Sequence, residues 1–174
     1  MRLRYHALFA LAFILLASLG SSQDSTSMNR CVCDRYLMEF SFLNDTKAER
    51  CGDGIYVFNI YDDRQASIRI RELMDWNDAS RESMISCVKD LLEDFNVELN
   101  TINTHDLSID QCDGIVGNGN DPFGNTWIAA CYWLDRDYQS GNWVGKTKCS
   151  IISNYDRDHT NDMLGTLHIV QLNR

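Results

Sequence analysis

The sequence predicts an α+β protein that is rich in β-strand: an antiparallel sheet, a sandwich or an open barrel of six to seven strands, stapled by disulfides. Short segments with alternating apolar and polar residues are separated by charged turns. A single stretch has the helical period, and it interrupts the run of strands instead of alternating with them. This order favours antiparallel pairing with one amphipathic helix packed on the sheet.

The helix is predicted from Asp78 to Asn96, a stretch without glycine or proline. Its apolar residues recur at the spacing of one helical stripe, namely Met84, Ile85, Val88, Leu91, Leu92 and Phe95. Cys87 lies on the same stripe, and Asp78 or Ser80 can accept hydrogen bonds from the first turn. We interpret the stripe as the side that covers the sheet; a groove for a partner is the alternative.

The strands are predicted from their period of two and from the turn residues between them. They cover residues 34–43, 55–61, 66–73, 97–102, 127–134, 143–152 and 164–172. In the third, Ile68 and Ile70 point inward while Arg69 and Arg71 point outward. We interpret this arginine pair as the wet face of an antiparallel strand, with a binding face as the alternative.

Residues 1–22 have the pattern of an export signal. Arg2 and Arg4 precede an apolar run of 13 residues, Ala7 to Leu19, and small residues suited to cleavage follow. The run is too short to span a bilayer. We therefore predict a secreted, extracellular protein with a flexible segment at 23–30, a single domain at 31–174 and no membrane span after cleavage.

The charge balance limits the partners. The chain has 25 acidic and 16 basic residues, which gives a formal net charge of −9 at pH 7. Such a charge repels phosphate backbones and anionic membrane surfaces. We therefore expect no nucleic-acid partner.

In an exported protein, cysteines predict structural disulfides. The seven candidates are Cys31, Cys33, Cys51, Cys87, Cys112, Cys131 and Cys149. The simple count is three bridges and one remaining cysteine, which could be a buried thiol or could link two chains into a dimer. Cys31 and Cys33 are too close in sequence to pair with each other. Neither a zinc site nor a redox motif is expected, because C-x-x-C is absent.

One glycosylation sequon is present. It is Asn44-Asp45-Thr46, in a charged segment that we predict to be a surface turn. Exported proteins of eukaryotic cells can carry a glycan on such an asparagine. Asn44 is therefore a predicted glycosylation site.

Residues Gly114–Thr126 are predicted to form a long irregular loop. The segment contains four of the ten glycines and the single proline. Long glycine-rich loops of compact domains often bind ligands, although a broad hairpin is the alternative. The four tryptophans could form a stacking platform for sugars, namely Trp76, Trp127, Trp133 and Trp143. Trp127 and Trp133 share a face only if their predicted strand is regular, and burial in the core is the other interpretation.

An acidic segment at 154–162 is the second predicted loop. Asp156, Asp158 and Asp162 place oxygen ligands close together, and calcium takes six to eight of them. The segment lacks the glycine and glutamate of an EF-hand, so only an irregular calcium site is predicted. His159 stands among these carboxylates and could act as a general base. No other cofactor is expected.

These observations favour a secreted binding or interaction protein without catalytic activity. Its partner would be an extracellular protein or a glycan, contacted by the two predicted loops. One alternative is a small secreted hydrolase that uses His159 with a neighbouring aspartate. Another is an acidic component of the extracellular matrix.

Overall fold

The computed structural model describes residues 25–33, 35–44, 46–51, 54–59, 63–73, 79–140 and 143–172. The predicted export signal, residues 1–22, lies outside the described residues. In the described ranges the chain forms ten β-strands and two α-helices. None of the helices in these ranges is long and apolar enough to cross a membrane.

The strands, in chain order, are β1 (Thr26–Cys33), β2 (Tyr36–Leu43), β3 (Thr46–Cys51), β4 (Gly54–Asn59), β5 (Gln65–Leu73), β6 (Asn103–Ile109), β7 (Cys112–Asn120), β8 (Thr126–Ser140), β9 (Trp143–Ser153) and β10 (His168–Gln171). The helices are α1 (Arg81–Glu93) and α2 (Arg157–Thr166), and a 3₁₀ turn (Leu99–Thr101) follows α1.

The strands form two antiparallel sheets. The smaller sheet has the order β1-β2-β10, and the seven-stranded sheet has the order β3-β4-β5-β9-β8-β7-β6. All neighbouring pairs are antiparallel. The predicted class, a β-rich α+β fold with an antiparallel sheet and a packed helix, is confirmed. The described part of the chain has more strands than the six or seven predicted, and a second helix.

The larger hydrophobic core lies between the two sheets. Alternate residues of β2 are buried in it because a strand presents every second side chain to the same face. The central strands contribute the facing side chains, and α2 contributes Met163 and Leu164. Fully buried members include Met38, Phe40, Phe42, Ile68, Tyr132 and Ile151.

Helix α1 covers the opposite face of the seven-stranded sheet, which we call the helix face. Its buried residues Met84, Cys87, Val88 and Leu92 pack against Ile115, Trp127, Ala129, Cys131 and Ile152. The prediction that the apolar stripe of this helix covers a sheet is therefore confirmed. A Cβ atom on Gly117 would lie 2.6 Å from Val88 Cγ1, so the absence of a side chain lets α1 lie close to β7. A disulfide between Cys87 and Cys131 joins α1 to β8.

Segment 23–30 was expected to be flexible, which stays a prediction, but residues 26–30 have regular structure. They belong to β1, which pairs with β2 over its whole length, from Thr26 opposite Leu43 to Cys33 opposite Tyr36. The polar composition reflects exposure, because a strand at the edge of a small sheet leaves one face in water.

The prediction of an irregular loop at Gly114–Thr126 is wrong, and the alternative, a broad hairpin, is confirmed because β7 pairs with β8. Most of the segment is β7, and only residues 121–125 form a turn before β8. The glycines serve close packing: a Cβ on Gly119 would lie 2.4 Å from Val97 Cγ1. The turn is held by Asp121, whose carboxylate accepts hydrogen bonds from the amides of Phe123 and Asn125 at 2.9 and 2.8 Å.

The acidic segment 154–162 was expected to be a loop, and the strand at 164–172 was expected to follow it. Instead, α2 begins at Arg157 and continues to Thr166, so β10 is only four residues long. Asp156 is the N-cap residue of α2, and its side chain accepts from the amide of His159. Among the smaller differences, residues 97–102 form the 3₁₀ turn with its flanks instead of a strand.

Candidate functional site

A β-hairpin forms one wall of the candidate site. Strands β6 and β7 are joined by a two-residue turn, Asp110-Gln111, between the paired residues Ile109 and Cys112. Both turn residues have positive φ angles, 52° and 63°, which is the conformation of a type I′ hairpin turn. This turn follows the right-handed twist of the two strands, so the hairpin is regular up to its end.

The end of the hairpin is bound to β10. The buried carboxylate of Asp110 accepts a hydrogen bond from the amide of Ile169 at 2.9 Å. Its other oxygen lies 2.6 Å from Nδ1 of His168, which is half exposed. These contacts fix the position of the hairpin against the three-stranded sheet.

Helix α1 forms the opposite wall. Its first turn is capped by Ser80, whose Oγ accepts from the amide of Ser83 at 3.1 Å. Cys87 lies near the middle of α1, and its disulfide with Cys131 holds the helix against β8. The first turns of α1, with Arg81 and Met84, therefore lie next to the hairpin.

Between these walls lies an open groove of about 540 Å³. It combines charged, polar and apolar side chains. The residues that line it are Arg81, Met84, Asp106, Leu107, Ser108, Asp113 and Gly114.

An ion pair links the two walls of the groove. Nε and a terminal nitrogen of Arg81 donate to the two carboxylate oxygens of Asp106 at 2.9 and 3.2 Å. These hydrogen bonds lower the pKa of Asp106 and raise that of Arg81, so both stay charged at neutral pH. The exposed carboxylate of Asp113 is the second acidic group of the groove.

The lining is suited to binding. A carboxylate, a hydroxyl and a guanidinium offer acceptors and donors, and Met84 adds apolar surface. Among the described residues, those that line the groove include neither a histidine nor a cysteine. A nucleophile with an adjacent histidine base, the arrangement typical of hydrolases, is therefore not found in this groove.

The predicted catalytic residue His159 lies elsewhere, in the first turn of α2. Its ring nitrogen Nδ1 contacts Oδ2 of Asp156, and its amide donates to Oδ1 of the same residue at 3.0 Å. Partial burial raises the pKa of Asp156, but the hydrogen bonds from His159 outweigh this effect and the pKa is lowered. The pair caps a helix, and its catalytic role stays a prediction.

The three aspartates of the predicted calcium site are spread over the start of α2. Asp156 precedes the helix, whereas Asp158 and Asp162 lie within it, one turn apart. The described ranges contain no group of three or more histidine, cysteine or carboxylate side chains arranged to hold a metal ion. Calcium binding at this place stays a prediction.

The two segments predicted as binding loops lie at the same end of the seven-stranded sheet, because Ile128 pairs with Ser153 there. They pack on opposite faces. Trp127, which follows the turn at 121–125, belongs to the cluster under α1, whereas Tyr155 and α2 belong to the core between the sheets. The structure therefore does not bring the two segments together on one concave surface.

The cysteines form fewer bridges than counted from the sequence. Cys87 and Cys131 are bonded, whereas Cys31 and Cys149 carry no disulfide, so the expectation of three bridges is wrong. Complete burial raises the pKa of Cys149 to about 12, and the thiol stays protonated. The side chain of Cys51 lies outside the described residues. A disulfide-linked dimer stays a prediction.

The predicted glycosylation site lies at the end of β2. Asn44 is exposed, and its side-chain nitrogen donates to Oγ of Ser25 at 2.6 Å. Its amide also donates to the carbonyl oxygen of Ser25. The presence of a glycan on the side-chain nitrogen of Asn44 stays a prediction.

No prediction from the sequence assigned the groove residues to a functional site. Residues 103–113 contain a usable signal, since Leu107 and Ile109 alternate with Asp106 and Ser108 before a polar pair suited to a turn. That alternation predicts a hairpin with one polar face. It does not predict which face of the hairpin α1 approaches, because this depends on the packing of α1 against residues that are distant in sequence.

Comparison with known proteins adds no assignment. No family model matches the chain, and no curated protein has significant similarity to it.

Proposed function

We propose that this chain is a secreted binding protein without catalytic activity, and that its partner occupies the groove between α1 and the β6–β7 hairpin. The observation that carries the proposal is the construction of the groove. Both walls are fixed, one by the Cys87–Cys131 disulfide and the other by the bonds of Asp110 to β10. A preformed groove loses little conformational entropy when it binds a ligand.

The lining supports a partner rich in hydrogen-bonding groups. The Arg81–Asp106 pair presents both charges at the mouth, and Ser108 and Asp113 can accept from hydroxyl or amide groups. Glycan hydroxyls and the amides of an extracellular peptide both have this chemistry. The groove therefore fits the expected class of partner, an extracellular protein segment or a glycan.

The test fills the groove with a large side chain. Ser108 is exposed and lines the groove, so Ser108→Trp should obstruct it without disturbing the core. Ser27, an exposed residue of β1, provides a matched control in Ser27→Trp. The secreted wild type and both variants are compared on one glycan array and one displayed peptide library.

We expect ligands that are retained by the wild type and by Ser27→Trp and lost, at least tenfold in affinity, by Ser108→Trp. A tenfold loss corresponds to about 1.4 kcal/mol of binding free energy. If every ligand of the wild type binds Ser108→Trp equally well, the groove is not the binding site.

The hydrolase alternative rests on one observation, the contact between the ring of His159 and the carboxylate of Asp156. An imidazole oriented by a carboxylate is the arrangement of a general base. Its test is the activity of His159→Gln against ester, peptide and glycoside substrates. An activity of the wild type that this variant retains would eliminate the alternative.

A further inference from the structure

The part of the helix face that α1 does not cover carries a group of basic side chains. Arg69 and Arg71 come from β5, and Lys146 and Lys148 come from the neighbouring strand β9. Arg71 pairs with Lys148. We call these four residues the basic face.

Strand alternation places the four residues on the same side of the sheet. The alternate residues Ile68, Ile70, Cys149 and Ile151 are buried in the core between the sheets. Ile152, in phase with Lys146 and Lys148, packs under α1. The basic face is therefore on the helix face, on the central strands of the seven-stranded sheet.

The two arginines are exposed, and neither forms an ion pair with a side chain in the described ranges. Of the described residues beside the two arginines on this face, Ser67 and Ser150 are uncharged and Lys148 is basic. One acidic residue, Asp137 of β8, pairs with Lys146 further along. The acidic side chain of Glu49, on β3, already contacts Lys47. Two guanidinium groups thus point into solvent with their donors unused by the described part of the protein.

A tryptophan continues the basic face towards α1. Trp133 on β8 pairs with Lys148, whose Nζ lies 5.9 Å from the centre of the indole ring. The ring is half-buried, and its Nε1–H is buried without a hydrogen-bond partner in the described ranges. Because this nitrogen is shielded from solvent, only the exposed part of the indole ring can contact a ligand.

We infer that the basic face, with Trp133, binds an acidic polysaccharide that carries uronate or sulfate groups. Residues two apart on a strand are separated by roughly 7 Å, and paired residues of neighbouring strands by about 5 Å. Arg69 and Arg71 therefore place two exposed cations within reach of consecutive anionic groups on one chain, and Lys148 pairs with Arg71 beside them. Guanidinium groups bind carboxylates and sulfates through two parallel hydrogen bonds.

Trp133 favours a sugar polymer over an acidic peptide. An indole offers a flat apolar surface on which the apolar side of a sugar ring can lie, and the ring of Trp133 is partly exposed. The pairing of Trp133 with Lys148 puts this surface directly beside a cation. A ligand with both rings and anionic groups uses both features.

The net charge of −9 does not prevent this binding. At physiological ionic strength, charges separated by more than about 8 Å are largely screened. The electrostatic interaction of ligand groups that contact Arg69 and Arg71 therefore depends mainly on these nearby cations. The acidic remainder of the protein reduces the rate of encounter more than the strength of the contact.

The inference does not depend on the function proposed for the groove, because none of the four basic residues lines it. The two proposals can therefore fail separately. Ser108→Trp should leave binding at the basic face intact.

The test uses the full secreted chain and heparin as the probe, with dextran as the uncharged polysaccharide and polyglutamate as the acidic polymer without sugar. Affinity is measured in 0.05 to 0.3 M salt. The test variant is Arg69→Gln/Arg71→Gln. The control Lys89→Gln/Arg157→Gln removes the same charge from exposed residues of α1 and α2.

We expect heparin to bind more tightly than either comparison polymer. The affinity should fall about tenfold in Arg69→Gln/Arg71→Gln and less than twofold in the control. The slope of log affinity against log salt should also become shallower by about two in the test variant, because binding with two fewer ionic contacts releases fewer counterions. Polyglutamate binding as tight as heparin would overturn the polysaccharide assignment, and equal losses in the two variants would overturn the basic face.

Discussion

The disulfide between α1 and β8 allows a quantitative prediction. Cys87 and Cys131 are separated by 44 residues. In the chain-entropy model, a bridge that closes a loop of this length stabilises the folded state by about 4 kcal/mol. Because small domains are stable by only about 5–15 kcal/mol, the loss should be a large part of the total. We therefore expect Cys87→Ala/Cys131→Ala to unfold at a much lower denaturant concentration.

The cost of removing buried sulfur atoms has to be separated from the cost of removing the link. Both cysteines are buried, so the alanines also leave small cavities. Cys149 is a fully buried thiol without a disulfide, and Cys149→Ala gives an upper bound on the cavity cost because it also removes the contact of the thiol with Tyr132. Each variant is unfolded in urea and followed by tryptophan fluorescence and circular dichroism.

The double variant should lose about 4 kcal/mol more than twice the loss seen in Cys149→Ala. Reduction of the wild type should shift its midpoint in the same direction without any change in packing. If the free energy of unfolding of the double variant falls by no more than the two cavities predict, the bridge does not stabilise this fold. One wall of the groove would then not be fixed by the disulfide.

Three further predictions concern local structure. Ser80→Ala removes the cap of α1 and should cost about 1 kcal/mol in urea unfolding; an unchanged midpoint would mean that water replaces the cap. Gly117→Ala forces a methyl group against Val88 and should cost about 1–3 kcal/mol, whereas Gly165→Ala, in an open helical position, should be neutral or stabilising by up to about 1 kcal/mol. The pKa of Asp156 is lower in the folded protein than the value of about 3.9 in the unfolded chain, so its ionised form stabilises the fold above that pH. This stabilisation is lost as the pH falls through the folded pKa. Asp156→Asn should therefore flatten the acid limb of a plot of unfolding free energy against pH, and parallel profiles of variant and wild type would contradict the prediction.

Elements with a strong period could be predicted from the sequence. The strand at 36–43 and the helix over 81–93 have apolar residues at the spacing that each structure requires. In both, the burial of one face determines the secondary structure. The apolar stripe of α1 also predicted which side of that helix faces the sheet. Local patterns are sufficient where a single face is buried.

Other elements depend on contacts that no local pattern shows. β7 is rich in glycine because α1 and the chain after it lie close to the strand, as the contacts of Gly117 with Val88 and of Gly119 with Val97 show. The same composition is typical of a loop. Helix α2 was missed because its first residues are aspartates, which favour turns as well as helix caps.

The groove and the basic face were beyond sequence analysis for the same reason. Arg81 and Asp106 are 25 residues apart, and Arg71 and Lys148 lie on strands far apart in the chain. The alternation in β5 predicts that Arg69 and Arg71 lie on the solvent-exposed face of the strand. Only the strand register adds the two lysines of β9 and the indole of β8 to it.

The position of the Cys87–Cys131 bridge also determines how the chain responds to a protease. The covalent ring that it closes contains the whole β6–β7 hairpin and the turn at 121–125. Phe123, at the tip of that turn, is 87% exposed. We expect a chymotrypsin-like enzyme to cleave the peptide bond after it first. A cut there opens the ring without releasing a fragment, because both pieces remain tied through sulfur. The hairpin wall of the groove would then persist in a two-chain protein, whose parts separate only after reduction.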